Sequence, residues 1–550
     1  MWLPCVAPLV RNQLRAAPKR LGGELLRALK RRRRRADVDP VDVLRHVGGE
    51  GGDADRLAHS GIGARAPVVA RDVVARCAPE RIGDDGVEVR SGGLFGGWSA
   101  RHRGPHRMPR AMPRAIVPVQ IGAPLGIPGV RSDKFPGVDT EILAAVAAEE
   151  PAMATLLTEL IAAPTLLGAE APGQDIMRRA FAELGLEPCD VPLDRAALEP
   201  HQGAAPFSWD VGGKTNVLAT WEPAGPPDGR SLILNGHIDV VSPEPGSLWS
   251  SPPFVARRDG DWLYGRGAGD MKSGLAAMVG AVRGLRRLGV TPRSRVQLQS
   301  VVEEECTGNG ALACVLAGHT ADAAILTEPT SEAIWNAQVG VVWFQVRVLG
   351  APAHAGEATS GANAIGASYT VIEALRGLEV ELNATRHPLY ADYPHPINLN
   401  VGMIRGGDWP STVAGECLTH FRLALYPGES VAELKARIER TVAGVALCGY
   451  RTEVLYDGFQ CEGYELVPDA PLVTTLADAC LRATGRQPPL YASTATTDAR
   501  SFVLYGDTPA VCFGPLAENE HGVDERVHLP SVVATAQAIA LFIQEWCGLV

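Results

Sequence analysis

Leu232-Ile233-Leu234-Asn235-Gly236-His237-Ile238-Asp239 is an apolar run that ends in two polar side chains two positions apart. Short apolar runs bounded by turn signals read as buried strands, and this one predicts a strand over Ser231–Val241. On its N-terminal side lies a helical segment, Asp139–Ile161, divided by Pro151 because proline is tolerated in a first turn and not in mid-helix. A helix over Asp175–Leu184 and a short strand over Asn216–Trp221 come next. On its C-terminal side follow a helix Ala268–Leu288 closed by Gly289, a strand Arg295–Val302, a helix Gly310–Ala317 and a buried strand Ala323–Leu326. Strands alternating with helices call for an α/β sheet covered by helices on both faces.

A second unit interrupts this alternation. A strand Val339–Leu349, a helix Asn363–Leu378, strands Asn398–Ile404 and Cys417–Tyr426, a helix Val431–Val445 and a strand Thr452–Tyr456 run in the order β-α-β-β-α-β. That is the split order of a ferredoxin-like sandwich. A helix Pro471–Thr484, a buried strand Pro509–Phe513 and a closing helix Pro530–Trp546 then return to the first unit. The expected division is a basic extension over 1–137, an α/β catalytic domain in two parts over 138–332 and 464–550, and an inserted domain over 333–463.

The chain has 550 residues with 46% hydrophobic and 21% charged, ordinary globular composition. No stretch of 18 apolar residues is present, so no bilayer span and no membrane partner is expected. Eleven cysteines without a C-x-x-C pair argue against a disulfide framework and for a reducing, cytoplasmic setting. The net charge of −10 averages two unlike pieces. Residues 1–137 hold 25 Lys and Arg against 13 Asp and Glu, leaving 27 against 49 in the remainder. The basic piece contains Lys30-Arg31-Arg32-Arg33-Arg34-Arg35 but lacks the interleaved aromatics of a single-strand binder and the charged-then-apolar order of a secretory signal. It is read as a poorly ordered extension, with an address label and a nucleic-acid tail as the other readings, and no nucleic-acid partner is assigned.

The chemistry gathers at strand ends, where open α/β sheets place ligands. Residues two apart on a strand share a face, so His237 and Asp239 suit a metal ligand and its orienting carboxylate, or simply a hydrogen-bonded His. Tyr264-Gly265-Arg266-Gly267-Ala268-Gly269-Asp270-Met271-Lys272-Ser273-Gly274 is glycine-dense without being a phosphate-binding loop, and it lets Asp270 project from a tight backbone. Glu303-Glu304-Glu305 puts three adjacent carboxylates after a strand, where they repel unless a cation sits among them. Glu328, in Leu326-Thr327-Glu328-Pro329, follows a buried strand, and His521 lies in the late loop Glu520-His521-Gly522-Val523-Asp524-Glu525. Taken singly, the last two also read as solvated loop residues.

In this order the motifs resemble the dizinc peptidase and deacylase family, which includes acetylornithine deacetylase, succinyl-diaminopimelate desuccinylase, aminoacylase and carboxypeptidase G. The likeness covers Asp139 to Val550. It is nearest to the first two members in Gly236-His237-Ile238-Asp239-Val240-Val241 and Gly265-Arg266-Gly267-Ala268-Gly269-Asp270-Met271-Lys272. It implies a zinc-peptidase-like α/β/α catalytic domain with a ferredoxin-like lid that forms a homodimer. It also implies two Zn²⁺ or Co²⁺ per subunit. His237, Asp270 and Glu328 would hold one metal and Asp270, Glu305 and His521 the other, with Glu304 as general base and Asp239 orienting His237. Two His and three carboxylates without thiolate suit these ions.

In the lid, Ala353-His354-Ala355-Gly356 followed by Gly361-Ala362-Asn363-Ala364-Ile365 matches the family's pattern, which makes His354 the oxyanion donor. Arg422 resembles an Arg that grips a substrate carboxylate, although a solvated sheet residue reads the same way. Asp498 and Arg500, in Ser493-Thr494-Ala495-Thr496-Thr497-Asp498-Ala499-Arg500, match a loop near the substrate that here lacks its preceding Gly. Ser411 and Ala414 stand where carboxylate-binding members carry Asn and Pro. The implied reaction is removal of an acyl group from a small N-acyl amino acid or related amine. A metallo-dipeptidase or carboxypeptidase, a formyl-aminopyrimidine deformylase, and a member that has lost catalysis are the alternatives.

Overall fold

The computed structural model describes residues 136–550; residues 1–135, and with them the Lys30–Arg35 run and nearly all of the basic extension, lie outside the described residues. The helical segment divides as expected, into Pro136–Ala147 and Glu150–Ala162, with Pro151 in the first turn of the second helix. Met153, Leu157, Leu160 and Ile161 of that helix are buried, at the spacing that puts apolar residues on one helical face. Helix Pro471–Thr484 starts at its proline and stops at Gly485, whose φ of 72° is the left-handed turn that glycine adopts without strain.

The central sheet orders its strands Pro188–Pro192, Thr215–Trp221, Val296–Val301, Leu232–His237, Ala324–Leu326, Ala510–Cys512, Ile334–Gln338 and Tyr464–Glu465, with Leu490–Ser493 also against Ile334–Gln338. The four strands from Val296–Val301 to Ala510–Cys512 are parallel. The central strand stops at His237 rather than running to Val241, because its neighbour ends at Val301, the residue opposite His237. Helix Lys272–Arg287 starts four residues later than Ala268, because residues 266–271 form a turn. It packs with the closing helix Leu529–Cys547 in the main apolar core.

The inserted unit has its own sheet, ordered Leu399–Gly406, Glu416–Leu425, Gly340–Leu349, Arg451–Leu455, all neighbours antiparallel, with Gln460–Cys461 also on Gly340–Leu349. In chain order that is 4-1-3-2 read from Arg451–Leu455, the ferredoxin-like arrangement. Helices Ala364–Ala384 and Val431–Ala443 cover one face, over a separate core. The chain crosses into this sheet at Val339, not at 333, because Ile334–Gln338 still pairs in the central sheet. A single residue, Val339, separates strand Ile334–Gln338 from strand Gly340–Leu349, so the chain passes between the two sheets without an intervening turn. The outgoing and returning crossings touch backbone to backbone: a Cβ on Gly340 would lie 2.5 Å from the Cys461 carbonyl, and one on Gly463 would lie 2.4 Å from the Gln338 carbonyl.

A four-stranded sheet that the sequence does not announce joins Arg257–Asp259, Trp262–Tyr264, Arg526–His528 and Ala517–Glu518. It pairs Arg526 with Tyr264 and so sets the late loop beside the glycine turn. Among the described residues no helix is long and apolar enough to cross a membrane.

Helix Lys272–Arg287 approaches the strand end before Glu328 at Gly274, where an added Cβ would meet the Thr327 carbonyl at 1.9 Å. Overpacking of this kind costs about 1–3 kcal/mol. Gly274→Ala is therefore expected to lower the thermal midpoint clearly in a circular dichroism melt. A midpoint equal to that of the wild type would show that the contact relaxes freely.

Candidate active site

His237 closes the central strand and is 1% exposed. Its Nδ1 meets the Asp239 main-chain carbonyl at 2.9 Å, while the Asp239 carboxylate is 3.8 Å away. Asp239 thus fixes the ring through its backbone, a correction to the expected carboxylate contact. A carbonyl serves the same purpose, leaving Nε2 for a ligand. The Asp239 carboxylate accepts instead the main-chain N–H groups of Glu304 (3.2 Å) and Glu305 (3.0 Å). Burial still pushes its pKa up to about 7.

Asp270 projects from the glycine turn as expected, and the turn is held by a residue to which the sequence assigned no role. Glu525 is buried and accepts N–H groups from Gly267 (3.0 Å), Gly269 (2.8 Å) and Asp270 (2.9 Å), with Arg266 Nη1 at 2.6 Å. Its place in the late loop, 255 residues on, left no local signal.

The three carboxylates separate because Glu304–Thr307 form a turn rather than an extended segment. Glu303, fully buried at φ 63°, points to Lys214 Nζ at 2.8 Å and accepts Trp209 Nε1–H at 2.8 Å. Glu304 lies 3.8 Å from His237 Nε2. Glu305 lies 3.0 Å from His521 Nε2. Repulsion is thus relieved for Glu303 by a lysine, whereas the other two enter the cleft.

His237, Asp270 and Glu328 offer ligand atoms within 4.8 Å of one another, as do Asp270, Glu305 and His521, so Asp270 belongs to both sets. Asp270 Oδ1 is 3.1 Å from His237 Nε2 and Oδ2 is 3.3 Å from His521 Nε2. Burial and mutual repulsion, opposed by His237, drive Glu304 and Glu328 well above the usual carboxylate range. Glu305 and the hydrogen bond to Asp270 push half-exposed His521 up to about 11 against the effect of burial. Burial would lower His237, but its hydrogen bond to Asp270 and the charges of Glu304 and Glu328 raise it well above its ordinary value. Among the described residues, Asp270, Glu304, Glu305 and Glu328 form ion pairs with His237 and His521 alone. Four carboxylates around two imidazoles fit cations of the Zn²⁺ or Co²⁺ type.

The remaining sequence-picked residues fall into different places. Arg500 is 2% exposed and donates to the carbonyls of Thr497 and Thr307, both at 2.8 Å. This corrects its reading as a substrate contact, because its guanidinium braces the Glu304–Glu305 turn. Asp498 is buried, and neither carboxylate oxygen has a hydrogen-bond partner among the described residues. Its nearest cation is Arg500 at 4.0 Å, and burial pushes it up to about 6. Arg422 reaches across from the lid to the Thr494 carbonyl at 3.2 Å. His354 is exposed on the lid, its Nδ1 accepting the Gly356 N–H at 3.1 Å.

Comparison with known proteins agrees with this geometry. The model of peptidase family M20/M25/M40 matches residues 233–545, more than half of the chain. The N-formyl-4-amino-5-aminomethyl-2-methylpyrimidine deformylase of Halalkalibacterium halodurans is 30% identical over 370 residues, covering 62% of this chain and 85% of that protein. The succinyl-diaminopimelate desuccinylase of Dinoroseobacter shibae is 29% identical over 352 residues, covering 61% and 89%. The fold is also that of the di-peptidase Dug1p from Saccharomyces cerevisiae, with TM-score 0.62 at 14% identity over 74% of this chain and 98% of that one. With its two ligand sets joined at Asp270, the chain belongs to peptidase family M20/M25/M40 and is a metal-dependent hydrolase of amide bonds.

Proposed function

We propose that this chain is a dinuclear deacylase that removes an acyl group from a small N-acyl amino acid or related amine. The observation that carries the reading is the sharing of Asp270 between two ligand sets, with Glu304 beside them. His237, Asp270 and Glu328 would hold one Zn²⁺ or Co²⁺, and Asp270, Glu305 and His521 the other. Such ions, when bound, supply Lewis acidity that acidifies a water and polarises the amide carbonyl. Glu304 takes the proton of the attacking water and delivers it to the leaving nitrogen. Its buried carboxylate, poised above the usual range, suits that exchange. Asp239 holds both glutamates by their main chain and His237 by its ring.

His354 would donate to the carbonyl oxygen in the tetrahedral state. Because Nδ1 accepts from Gly356, the neutral ring carries its proton on Nε2 and is a donor. Its exposed position supports delivery across a homodimer. The lid's edge strand Leu399–Gly406 leaves Met403 and Ile404 exposed, and Trp409, Tyr369 and Val380 are exposed nearby in the lid, an apolar surface that a second copy would cover. Arg422 and Asp498, whose carboxylate accepts no hydrogen bond among the described residues, are the groups offered to substrate. A lid over 333–463 is proposed with its first crossing moved to Val339, and residues 1–137 as an extension dispensable for folding. Free cysteines buried among the described residues, Cys306, Cys314 and Cys512 among them, support a cytoplasmic setting.

A formyl-aminopyrimidine is the second reading, favoured by the 30% identity to the deformylase and by Ser411 and Ala414. A panel of N-acetyl and N-succinyl amino acids, formyl-aminopyrimidine and dipeptides separates the readings. Hydrolysis of dipeptides alone would overturn the deacylase assignment.

Purified protein is expected to carry close to two Zn²⁺ or Co²⁺ per chain by elemental analysis. Chelation should abolish amide hydrolysis and added metal should restore it; full activity in a metal-free preparation would sink the proposal.

Glu304→Gln keeps size and shape but accepts no proton. It should retain both metals while kcat falls by about 10²–10⁴-fold. Glu305→Gln should lose affinity at one site and regain part of its activity in excess Zn²⁺. The opposite pattern of metal loss would exchange the two roles.

A further inference from the structure

Behind the turn that carries Glu304 and Glu305 lies a buried ion triad that no catalytic step uses. Lys214 Nζ stands 2.8 Å from Glu303 Oε1 and 2.8 Å from Glu170 Oε1, and all three side chains are almost wholly buried. Glu303 Oε1 also accepts the Trp209 indole N–H at 2.8 Å, and Oε2 accepts the Thr307 hydroxyl at 2.8 Å. Glu170 Oε1 accepts the Gly168 N–H at 3.0 Å. The main chain of Glu303 is left-handed, and its carbonyl accepts the N–H groups of Thr307 (3.1 Å) and Gly308 (2.7 Å). A non-glycine residue persists in that conformation only where its surroundings over-determine it. Here the over-determination is the side chain, drawn away from the cleft by an ammonium group.

The turn is therefore held at three points: Lys214 through Glu303, Asp239 through the amides of Glu304 and Glu305, and Arg500 through the Thr307 carbonyl. Removal of the lysine charge would leave Glu170 and Glu303 as buried carboxylates facing each other, which breaking a buried pair makes severe. Glu303 would then have reason to turn towards water, and the turn it would disturb is the one that carries Glu304 and Glu305.

We propose that Lys214 is a positioning residue of the metal centre, setting through Glu303 the direction in which Glu304 and Glu305 leave the turn. The inference rests on the reading of Glu305 as a ligand given above.

The test is a Co²⁺ titration of the metal-stripped full-length chain, followed by visible absorption, with a thermal melt of each variant. Glu305→Gln supplies the signature of losing one site. Lys214→Met is expected to weaken that same site at least tenfold and to move the other less than threefold, with Lys214→Arg recovering most of the loss. Should Lys214→Met not fold, the double variant Lys214→Met/Glu303→Gln, which removes both charges, is expected to fold and to show the same selective loss. A purely structural lysine would lower the melting midpoint while both Co²⁺ steps kept wild-type affinity, and that result overturns the inference. A wild-type chain that takes up no Co²⁺ overturns the metal-centre reading itself, and this inference with it.

Discussion

The carboxylate of Asp239 accepts the main-chain N–H groups of both Glu304 and Glu305, and this pair of hydrogen bonds ties the end of the central strand to the turn after its neighbour. His237 is oriented by the same residue through its carbonyl. One side chain and its own backbone thus set the position of His237 on one strand relative to Glu304 and Glu305 after another. Hydrogen bonds to an ionised acceptor are stronger than neutral ones, which suits a contact that has to hold like charges close together.

The centre contains two kinds of buried or partly buried carboxylate. Asp239, Glu303 and Glu525 are satisfied by main-chain N–H groups, a lysine or an arginine, and each fixes a turn. Asp270, Glu304, Glu305 and Glu328 have only the two histidines as ion partners among the described residues. Buried charge is costly unless paired; the first group is balanced internally, whereas the second lacks any Lys or Arg partner among the described residues. Burial, rather than any single neighbour, is the largest influence on Glu304 and Glu328.

The inserted unit meets the rest of the described chain at several points, among them Ser208 on Asp457 and the Gly458 N–H on the Pro206 carbonyl, and three further contacts lie near the centre. Arg422 meets the Thr494 carbonyl, and Tyr390 and Tyr393 donate to the carbonyls of Ser493 and Ala492. All three grip the segment that leads into Asp498. The orientation of the inserted unit is thereby coupled to the loop that carries Asp498, a buried carboxylate without a hydrogen-bond donor among the described residues. His354 stands apart from this, exposed on a stretch that exchanges main-chain bonds with Ser411–Val413.

Much of this was legible in the sequence because local patterns report local physics. Apolar runs placed the central strands, Pro151 and Pro471 marked helix starts, and the β-α-β-β-α-β order described the inserted sheet. The five candidate ligands stood out because each follows a strand or opens a tight turn, where a polar side chain has no packing reason to be. Other features depended on contacts between distant segments. The four-stranded sheet that brings Glu525 to the glycine turn joins short strands more than 250 residues apart, and three-residue strands carry no periodicity. The crossing at Val339 is hidden because strand propensity does not say which sheet a strand joins. Arg500 resembled a substrate contact in composition, and only burial against two carbonyls showed that its charge is already engaged. Residue type and spacing determined which groups could do chemistry; tertiary packing decided which of them face the cleft and which hold it in shape, because burial and partner choice are properties of segments brought together only by folding.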